Sequence, residues 1–330
     1  MVTRDPGALV EYVGLRRLTE ADADGVVSLY NSVYPYRKLH VEAWRLDDRK
    51  FDESRYPRRR WLAVSTITEE VIGYGCVWNT LAPRKYRLDV LVRPDWRRRG
   101  VGSRLLEELI VELQALAAVS LQARARDDET YALAFLEHHG FVEIHRMVYV
   151  RLDLANANPG AFRPLVERIL ASGVSVSTLA AEQARDPHCW AKLHSLHDAA
   201  RLGWPNPDPD PDAGPLAPQP YHEFEQMLWG LNPIPEAFFI ACSQDQYLGY
   251  SGLAPNPQDP GCLYSANTAV RPEVRGKGIA TALKVCTVEY AKQHGHAAIQ
   301  TSSANPAMIA VNEKLGFQRV WSEVRVVKQL

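Results

Sequence analysis

The sequence predicts an α+β fold that is built twice along one chain, each copy being a mixed β-sheet flanked by helices. Three observations support this fold class. The 330 residues are enough for two domains of ordinary size. The segment Leu91–Gly102 returns as Ala269–Ala280, and Ile72–Tyr74 returns in the same order as Leu248–Tyr250. Within each copy, short segments typical of strands alternate with segments of helical periodicity.

The elements of the first copy follow from these patterns. Strands are predicted at Gly14–Arg17, Trp61–Thr66, Val71–Trp78, Tyr86–Val92, Val119–Arg124 and Val142–Leu152. A helix is predicted from Glu20 to Tyr34, with Thr19 as its N-cap. A second helix follows Gly102, where apolar residues recur every three or four positions, and a third ends near His139.

The domain boundaries follow from composition. The N-terminal domain is predicted to span residues 1–154, a linker and leading helix 155–173, and the C-terminal domain 174–330. A Pro-rich insert at 203–220 alternates Pro with Asp, so it can form neither a helix nor a central strand. It is either a surface loop, which we favour slightly, or a lid over a substrate.

A strand, a glycine-containing turn and a helix follow one another in both copies and predict an anion site. The first turn of a helix leaves backbone N–H groups without partners, and the helix dipole adds partial positive charge there. A diphosphate accepts hydrogen bonds from these N–H groups and balances the partial positive charge. Gly100 and Gly102 let the backbone approach it closely. Arg97 can add charge-assisted hydrogen bonds. The alternative is a turn that binds no ligand. Such a turn would not require the arginine and the two small residues, yet both copies have them.

The string from Val92 to Gly102, and again from Val270 to Ala280, resembles the acyl-CoA-binding motif of the GNAT superfamily of N-acetyltransferases. That motif is [QR]-x-x-G-x-[GA] after a V-x-P turn. The segments Phe135–Phe141 and Asn305–Phe317 are similar to the second motif of the family. The resemblance implies a sheet that splays after its fourth strand, with the pantetheine of acetyl-CoA in the gap. The two-domain arrangement is similar to that of mycothiol synthase.

The resemblance also implies which residues contact the co-substrate, acetyl-CoA. In each copy they are the end of the strand, the turn and the first residues of the helix, and the second copy adds two asparagines. The N-terminal set is Leu91, Val92, Arg97, Arg98, Arg99, Gly100, Val101 and Gly102. The C-terminal set is Ala269, Val270, Arg275, Gly276, Lys277, Gly278, Ile279, Ala280, Asn305 and Asn312.

Amine acetylation requires an unprotonated nitrogen, and an alkylamine with a pKa of ~10 is neutral in only about one molecule per thousand at pH 7. A base is therefore useful, and so is a proton donor for the departing thiolate. Asp89 is the candidate base, because family members often place a carboxylate near this position; a salt-bridged or exposed strand residue is an equal alternative. The second copy has Asn267 there, which cannot accept a proton. Its candidate proton donor is Tyr264, with half-buried packing as the alternative.

The predicted activity is acetyl transfer from acetyl-CoA to the primary amine of a small molecule. The C-terminal copy is favoured as the active one, because its cofactor motif is fuller, whereas the N-terminal copy has the carboxylate but a thinner motif. Two alternatives stay open: a CoA-binding or structural tandem module without catalysis, and a protein N-acetyltransferase.

Composition narrows the class of protein. A formal net charge of −1, with 46% hydrophobic and 23% charged residues, predicts a soluble globular protein that does not bind nucleic acid. The five cysteines lack C-x-x-C spacing and the ten histidines lack a ligand pattern, so we expect no disulfide framework and no metal. No segment predicts a signal peptide or a membrane span. We therefore expect a cytoplasmic enzyme, monomeric or homodimeric.

Overall fold

The structure is a computed structural model, which describes residues 12–35, 37–80, 82–201, 218–230, 232–257 and 259–330. The chain divides into two compact units. The N-terminal unit comprises the chain through Ile144 together with Val324–Leu330, and the C-terminal unit comprises His145–Glu323. Apart from residues 218–220, the predicted Pro-rich insert lies outside the described residues.

Strands and helices alternate in the N-terminal unit, close to the predicted positions. Its first strands are β1 (Val13–Arg17), β2 (Arg58–Ser65), β3 (Val71–Asn79), β4 (Lys85–Val92) and β5 (Ser120–Arg126). Its helices are α1 (Ala23–Val33), α2 (Val41–Lys50), α3 (Val101–Ala115) and α4 (Thr130–His138). A 3-10 turn leads into α1, and Thr19 and Asp22 form a capping box there, as expected for the predicted N-cap. Helix α2 was not predicted from the sequence.

The C-terminal unit repeats this order with additional helices. Strand β6 (Val142–Asp153) begins in the N-terminal unit and belongs to the C-terminal unit from His145 onward. The next strands are β7 (Ser175–Thr178), β8 (Phe238–Ser243), β9 (Gln246–Pro255), β10 (Cys262–Val270) and β11 (Ala298–Ser303). The helices are α5 (Arg163–Ala171), α6 (Leu179–Arg185), α7 (Cys189–Arg201), α8 (Tyr221–Gly230), α9 (Ile279–Gln293) and α10 (Pro306–Lys314). Strand β12 (Gln318–Gln329) belongs to the N-terminal unit from Val324 onward.

Each unit carries a mixed sheet. The strand order is β1-β2-β3-β4-β5-β12 in the N-terminal unit and β6-β11-β10-β9-β8-β7 in the C-terminal unit. Strands β1 to β4 pair antiparallel, and β4 pairs parallel with β5. Likewise, β7 to β10 pair antiparallel, and β10 pairs parallel with β11. The predicted fold class, an α+β fold with a mixed sheet built twice, is confirmed. The predicted domain boundaries stay a prediction about which segments fold independently.

The parallel pair in each unit is hydrogen-bonded only near its start. In the N-terminal unit, Lys85–Arg87 pair with Ser120–Gln122, and the rest of β4 has no registered partner in β5. In the C-terminal unit, the registered pairs are Cys262–Tyr264 with Ala298–Gln300. The backbone of β4 after Arg87 therefore has one free edge, as the predicted splayed sheet requires.

The core of the N-terminal unit lies between its sheet and α3. The apolar stripe predicted for α3 is buried at Leu105, Leu106, Leu109 and Leu113. Val324 of β12 joins the same cluster. Because apolar burial on this face fixes α3 against the sheet, the start of the helix is held beside the end of β4.

Candidate active site

The turn between strand and helix has the same backbone geometry in both copies. Gly100 and Gly278 are the N-cap residues of α3 and α9, and both are left-handed, with φ of 77° and 91°. Two positions earlier, Arg98 and Gly276 also have positive φ, 58° and 76°. The first turn of each helix carries no acidic side chain. The first turn of each helix therefore adds no negative charge at the positive end of the helix dipole, which favours an anion there.

A cleft of about 680 Å³ opens beside the N-terminal turn. Its walls include Leu88–Val92 of β4, the helix start from Gly100 to Ser103, and Ala123 and Arg124 of β5. The cleft thus runs from the gap between β4 and β5 to the start of α3. Every residue of the predicted N-terminal set except Arg99 lines it.

The two arginines that flank this turn have different surroundings. Arg97 donates from Nε to the Val92 carbonyl over 3.2 Å, and its guanidinium lies 4.0 Å from the ring centroid of Tyr131. These two contacts hold the Arg97 guanidinium in the wall of the cleft. Arg99 instead lies over the ring of Trp96, at 5.1 Å.

Two titratable groups face the same cleft near the gap in the sheet. The Asp89 carboxylate stays accessible to water, but the walls around it desolvate it, which raises its pKa; the charges of Arg124 and Arg87 oppose that rise. Tyr34, which follows α1, also lines the cleft, and desolvation raises the pKa of its phenol. The cleft therefore offers a carboxylate with increased proton affinity and a phenol that keeps its proton at neutral pH.

Part of the C-terminal turn is packed, although a cavity of about 640 Å³ also borders this turn at Lys277. A Cβ added at Gly278 would lie 3.0 Å from Cδ1 of Leu165 and 3.5 Å from Cδ1 of Ile169, both in α5. Arg275 donates from Nε to the Val270 carbonyl over 3.2 Å and from Nη2 to the Ala200 carbonyl over 2.8 Å. Two side chains of α5 and the end of α7 thus lie beside this turn.

The other predicted C-terminal residues lie in or next to β10, α9 and α10. The Tyr264 hydroxyl lies 3.2 Å from the Ser302 hydroxyl. Asn305 accepts from the backbone N–H of Ala307 over 2.9 Å and caps α10. Asn312 is buried, and its Oδ1 has no hydrogen-bond partner within the described part of the chain. Three further members of the set are buried in the apolar core: Ala269, Val270 and Ile279.

Several further residues of the cleft were not predicted as site residues from the sequence. They are contributed by the end of α1, by β5 and by α4: Tyr34, Arg124, Glu129, Tyr131 and His139. His139 lies within the predicted second motif, Phe135–Phe141, so this motif indicated that α4 contributes to the site. No sequence pattern indicated Tyr34, because its approach to β4 depends on the packing of α1 on the sheet.

Within the part of the chain that the structure describes, no group of three or more His, Cys, Asp and Glu side chains is arranged to hold a metal ion. No helix in the described ranges is long and apolar enough to cross a membrane.

Comparison with known proteins agrees with this geometry. The model of the acetyltransferase (GNAT) family matches residues 23–141 and again 190–317. Mycothiol acetyltransferase from Parafrankia sp. strain EAN1pec is 25% identical over 289 residues, which cover 79% of this chain and 81% of the relative. A shorter match, 34% identical over 82 residues, covers 25% of this chain and 49% of the ribosomal protein bS18-alanine N-acetyltransferase of Salmonella typhimurium.

Solved structures share the fold over nearly the whole chain. A GCN5-related N-acetyltransferase from Sphaerobacter thermophilus has a TM-score of 0.64 at 18% identity and covers 97% of this chain and 96% of its own. A tandem GNAT protein from the clavulanic acid biosynthesis pathway has a TM-score of 0.60 at 20% identity, and the match covers 96% of this chain and 98% of that protein. The resemblance inferred from the two glycine motifs is thereby confirmed. The chain belongs to the acetyltransferase (GNAT) family and is an N-acetyltransferase enzyme with two copies of the family domain.

Proposed function

We propose that the N-terminal unit transfers an acetyl group from acetyl-CoA to the primary amine of a small molecule. One observation carries the proposal: a single cleft contains the glycine turn, the free edge of β4 and Asp89. The sequence alone favours the C-terminal copy as the active one. We propose the opposite assignment, because Leu165 and Ile169 pack beside Gly278 and because the C-terminal copy has Asn267 in place of the carboxylate.

The N-terminal turn has the properties that a CoA diphosphate needs. Gly100 is left-handed at the N-cap, α3 has no acidic side chain in its first turn, and Arg97 and Arg98 line the cleft beside it. Helix N–H groups and guanidinium groups are the donors that bind diphosphates in proteins. Beyond the turn, the free edge of Leu88–Val92 offers backbone groups to the amides of pantetheine.

Acetyl-CoA, when bound, supplies a thioester carbonyl that is open to attack by an amine. In the proposed reaction, Asp89 accepts the proton of the acceptor nitrogen, which the raised pKa of its carboxyl group favours. Tyr34 donates a proton from its hydroxyl group to the departing sulfur. These two groups face one cleft near the end of the β4–β5 pairing, where both reactants would meet.

A small-molecule acceptor is supported by the named relatives. Mycothiol acetyltransferases match over about four-fifths of this chain, whereas the bS18-alanine N-acetyltransferase match covers 25% of it. The longer match spans both copies of the domain. We therefore propose a small amine as the partner, with a protein acceptor as the alternative.

A matched pair of variants tests the proposal. Asp89→Asn removes the base from the N-terminal cleft, and Asn267→Asp introduces a carboxylate at the same position of the C-terminal copy. With a panel of primary amines and a thiol-release assay, we expect Asp89→Asn to lower kcat about 100-fold or more, because general bases contribute ~10²–10⁴. Asn267→Asp should leave kcat unchanged.

Two results would contradict the proposal. Full activity in Asp89→Asn would exclude Asp89 as the base. Tight acetyl-CoA binding without turnover on any amine would favour a CoA-binding module that has no catalytic role.

A further inference from the structure

A serine and a histidine of the N-terminal cleft are hydrogen-bonded beside the glycine turn. Ser103 lies in the first turn of α3, and His139 is the C-cap residue of α4. The Ser103 hydroxyl lies 2.9 Å from Nε2 of the His139 imidazole, and both residues line the cleft. A titratable group of α4 is therefore in contact with the turn that we propose for the diphosphate.

Packing contacts hold the His139 imidazole in this position. Its ring centroid lies 4.6 Å from that of Phe135, one turn earlier in α4. A Cβ added at Gly102 would lie 3.2 Å from Cε2 of Phe135, so α4 packs directly on the first turn of α3. Lys328 Nζ donates to the His139 carbonyl over 2.7 Å. The contact between the imidazole and the Ser103 hydroxyl is thus part of the packed wall of the cleft.

The protonation of His139 decides what the serine hydroxyl can offer to a ligand. A hydroxyl has one proton to donate, and a neutral imidazole has one donor and one acceptor nitrogen. If Nε2 carries no proton, it accepts the hydroxyl proton, and Ser103 has no donor left. If Nε2 carries a proton, as it always does in the imidazolium, it donates to Oγ, and the hydroxyl can donate to an oxyanion. A proton on His139 and an anion at Ser103 therefore favour each other.

The charges around His139 leave room for this coupling. Desolvation lowers the pKa of the imidazole; the charge of His138 in α4 lowers it further, Glu107 of α3 raises it, and Lys328 of β12 lowers it. The imidazole without a ligand is therefore mostly neutral at pH 7. A phosphate beside Ser103 would add a negative charge and raise the pKa of His139 again.

We propose that Ser103 binds a phosphate group of CoA and that His139, as a positioning residue, couples this binding to the uptake of a proton. The proposal rests on the function proposed above, since it concerns the CoA site of the same cleft. The diphosphate and the 3′-phosphate of CoA offer the same oxyanion chemistry. At the corresponding positions the C-terminal copy has Thr281, which keeps a hydroxyl, and the buried Leu315, which cannot bind a proton.

Calorimetry of CoA binding to the full chain tests the proposal. His139→Gln is the reference, because it keeps an N–H donor for Ser103 but cannot titrate. A reference is needed because a phosphate monoester has a pKa of about 6 and itself titrates. From pH 8 to pH 6, the affinity of the wild type should rise at least about threefold relative to this variant. Buffers of different ionisation enthalpy should show that the wild type takes up more protons on binding.

Further titrations locate the contact. If the coupling persists with 3′-dephospho-CoA, Ser103 binds the diphosphate; if it is lost, Ser103 binds the 3′-phosphate. Ser103→Ala should weaken CoA binding about tenfold at pH 6, because a hydrogen bond to a charged group is lost. Ser103→Thr keeps the hydroxyl, should bind within about threefold of the wild type, and guards against misfolding of the alanine variant. His40→Gln, at an exposed position before α2, should change nothing.

The failure of this proposal differs from that of the proposed function. The same pH dependence in the wild type and in His139→Gln would overturn the coupling, and so would coupling that is lost in His138→Gln instead. Either result leaves CoA at the N-terminal turn, provided that Arg97→Ala weakens its binding. If Asp89→Asn keeps full activity, the proposed function itself fails, whatever the pH dependence of binding.

Discussion

Lys284 marks the clearest difference between the two copies at the level of single residues. It holds the position in α9 that Leu106 holds in α3, relative to the N-cap glycine. Its side chain is 1% exposed, with Nζ 3.3 Å from the Ser265 hydroxyl and 5.3 Å from the ring centroid of Phe317. Desolvation lowers its pKa to about 8. An ammonium thus occupies the core position that a leucine fills in the N-terminal unit.

Replacing this lysine with leucine is expected to stabilise the protein at neutral pH. The pKa in the folded state, about 8, lies below the ordinary value of 10.5. Between these values the unfolded chain binds more protons, so the free energy of unfolding rises as pH rises from about 8 to about 10.5. Below pH 8 the buried ammonium lowers the free energy of unfolding by the full amount, about 3 kcal/mol. Losing the hydrogen bond to Ser265 costs about 1 kcal/mol, so Lys284→Leu should gain about 2 kcal/mol at pH 7.

Urea denaturation at pH 7 and pH 10 measures this effect. Lys284→Leu should remove the rise in stability between these pH values, whereas Lys314→Leu, at an exposed position of α10, should keep it. An unchanged pH dependence in Lys284→Leu would show that the ammonium is not desolvated in the folded protein.

The sequence predicts some residues of the candidate site better than others. The glycine turn and Asp89 could be found because they lie in one short segment whose pattern is repeated. Tyr34 could not, because it joins the site through an element distant in sequence from β4. Arg275 shows that a matching motif does not fix the surroundings of a residue. Its motif matches that of Arg97, but its Nη2 donates to the carbonyl of Ala200, a contact that no local sequence pattern reveals.

At the level of elements, the last strand of the chain completes the first unit. In β12, Val324 and Val326 are 2% and 5% exposed and pack in the core of the N-terminal unit. The Leu330 N–H donates to the Val119 carbonyl over 3.1 Å, and Lys328 Nζ donates to the His139 carbonyl over 2.7 Å. The free edge of β5 is therefore covered by residues that lie at the far end of the sequence.

An acidic substitution in this strand should destabilise the N-terminal unit. Val326→Asp places a carboxylate in an apolar core, which we expect to cost about 3 kcal/mol or more. Val320→Asp is the matched control, since Val320 lies in the same strand and is 56% exposed. Thermal unfolding and hydrogen exchange of β5 measure the difference. Equal stability of the two variants would mean that β12 contributes nothing to the N-terminal core.

The secondary structure was predicted well where burial leaves a pattern. Helix α3 has a buried stripe and was found, whereas α2 has no buried residue, so its sequence carries no apolar periodicity to recognise. The division of the chain into units was not predictable in the same way. The pairing of β12 with β5 joins segments almost 200 residues apart, and such long-range pairing leaves no local signal.

Considered as a whole, the molecule contains one turn built twice in two different environments. The backbone angles agree closely: the residues after the 3-10 turns, Arg97 and Arg275, have φ and ψ of −66° and 158° and of −63° and 157°. The first lies beside an open cleft, while the second donates to the carbonyl of Ala200. The backbone of the turn is thus the same in both copies, and its surroundings differ.

Matched alanine variants of these two arginines should therefore behave differently. We expect calorimetry to find one acetyl-CoA bound per wild-type chain. Arg97→Ala should weaken that binding about tenfold or more, because a charge-assisted contact to phosphate is lost. Arg275→Ala should bind acetyl-CoA as the wild type does but lower the free energy of unfolding by about 1–3 kcal/mol, since two buried carbonyls lose their donor. Two equivalents in the wild type, reduced to one by Arg275→Ala, would instead identify the C-terminal turn as a second working site.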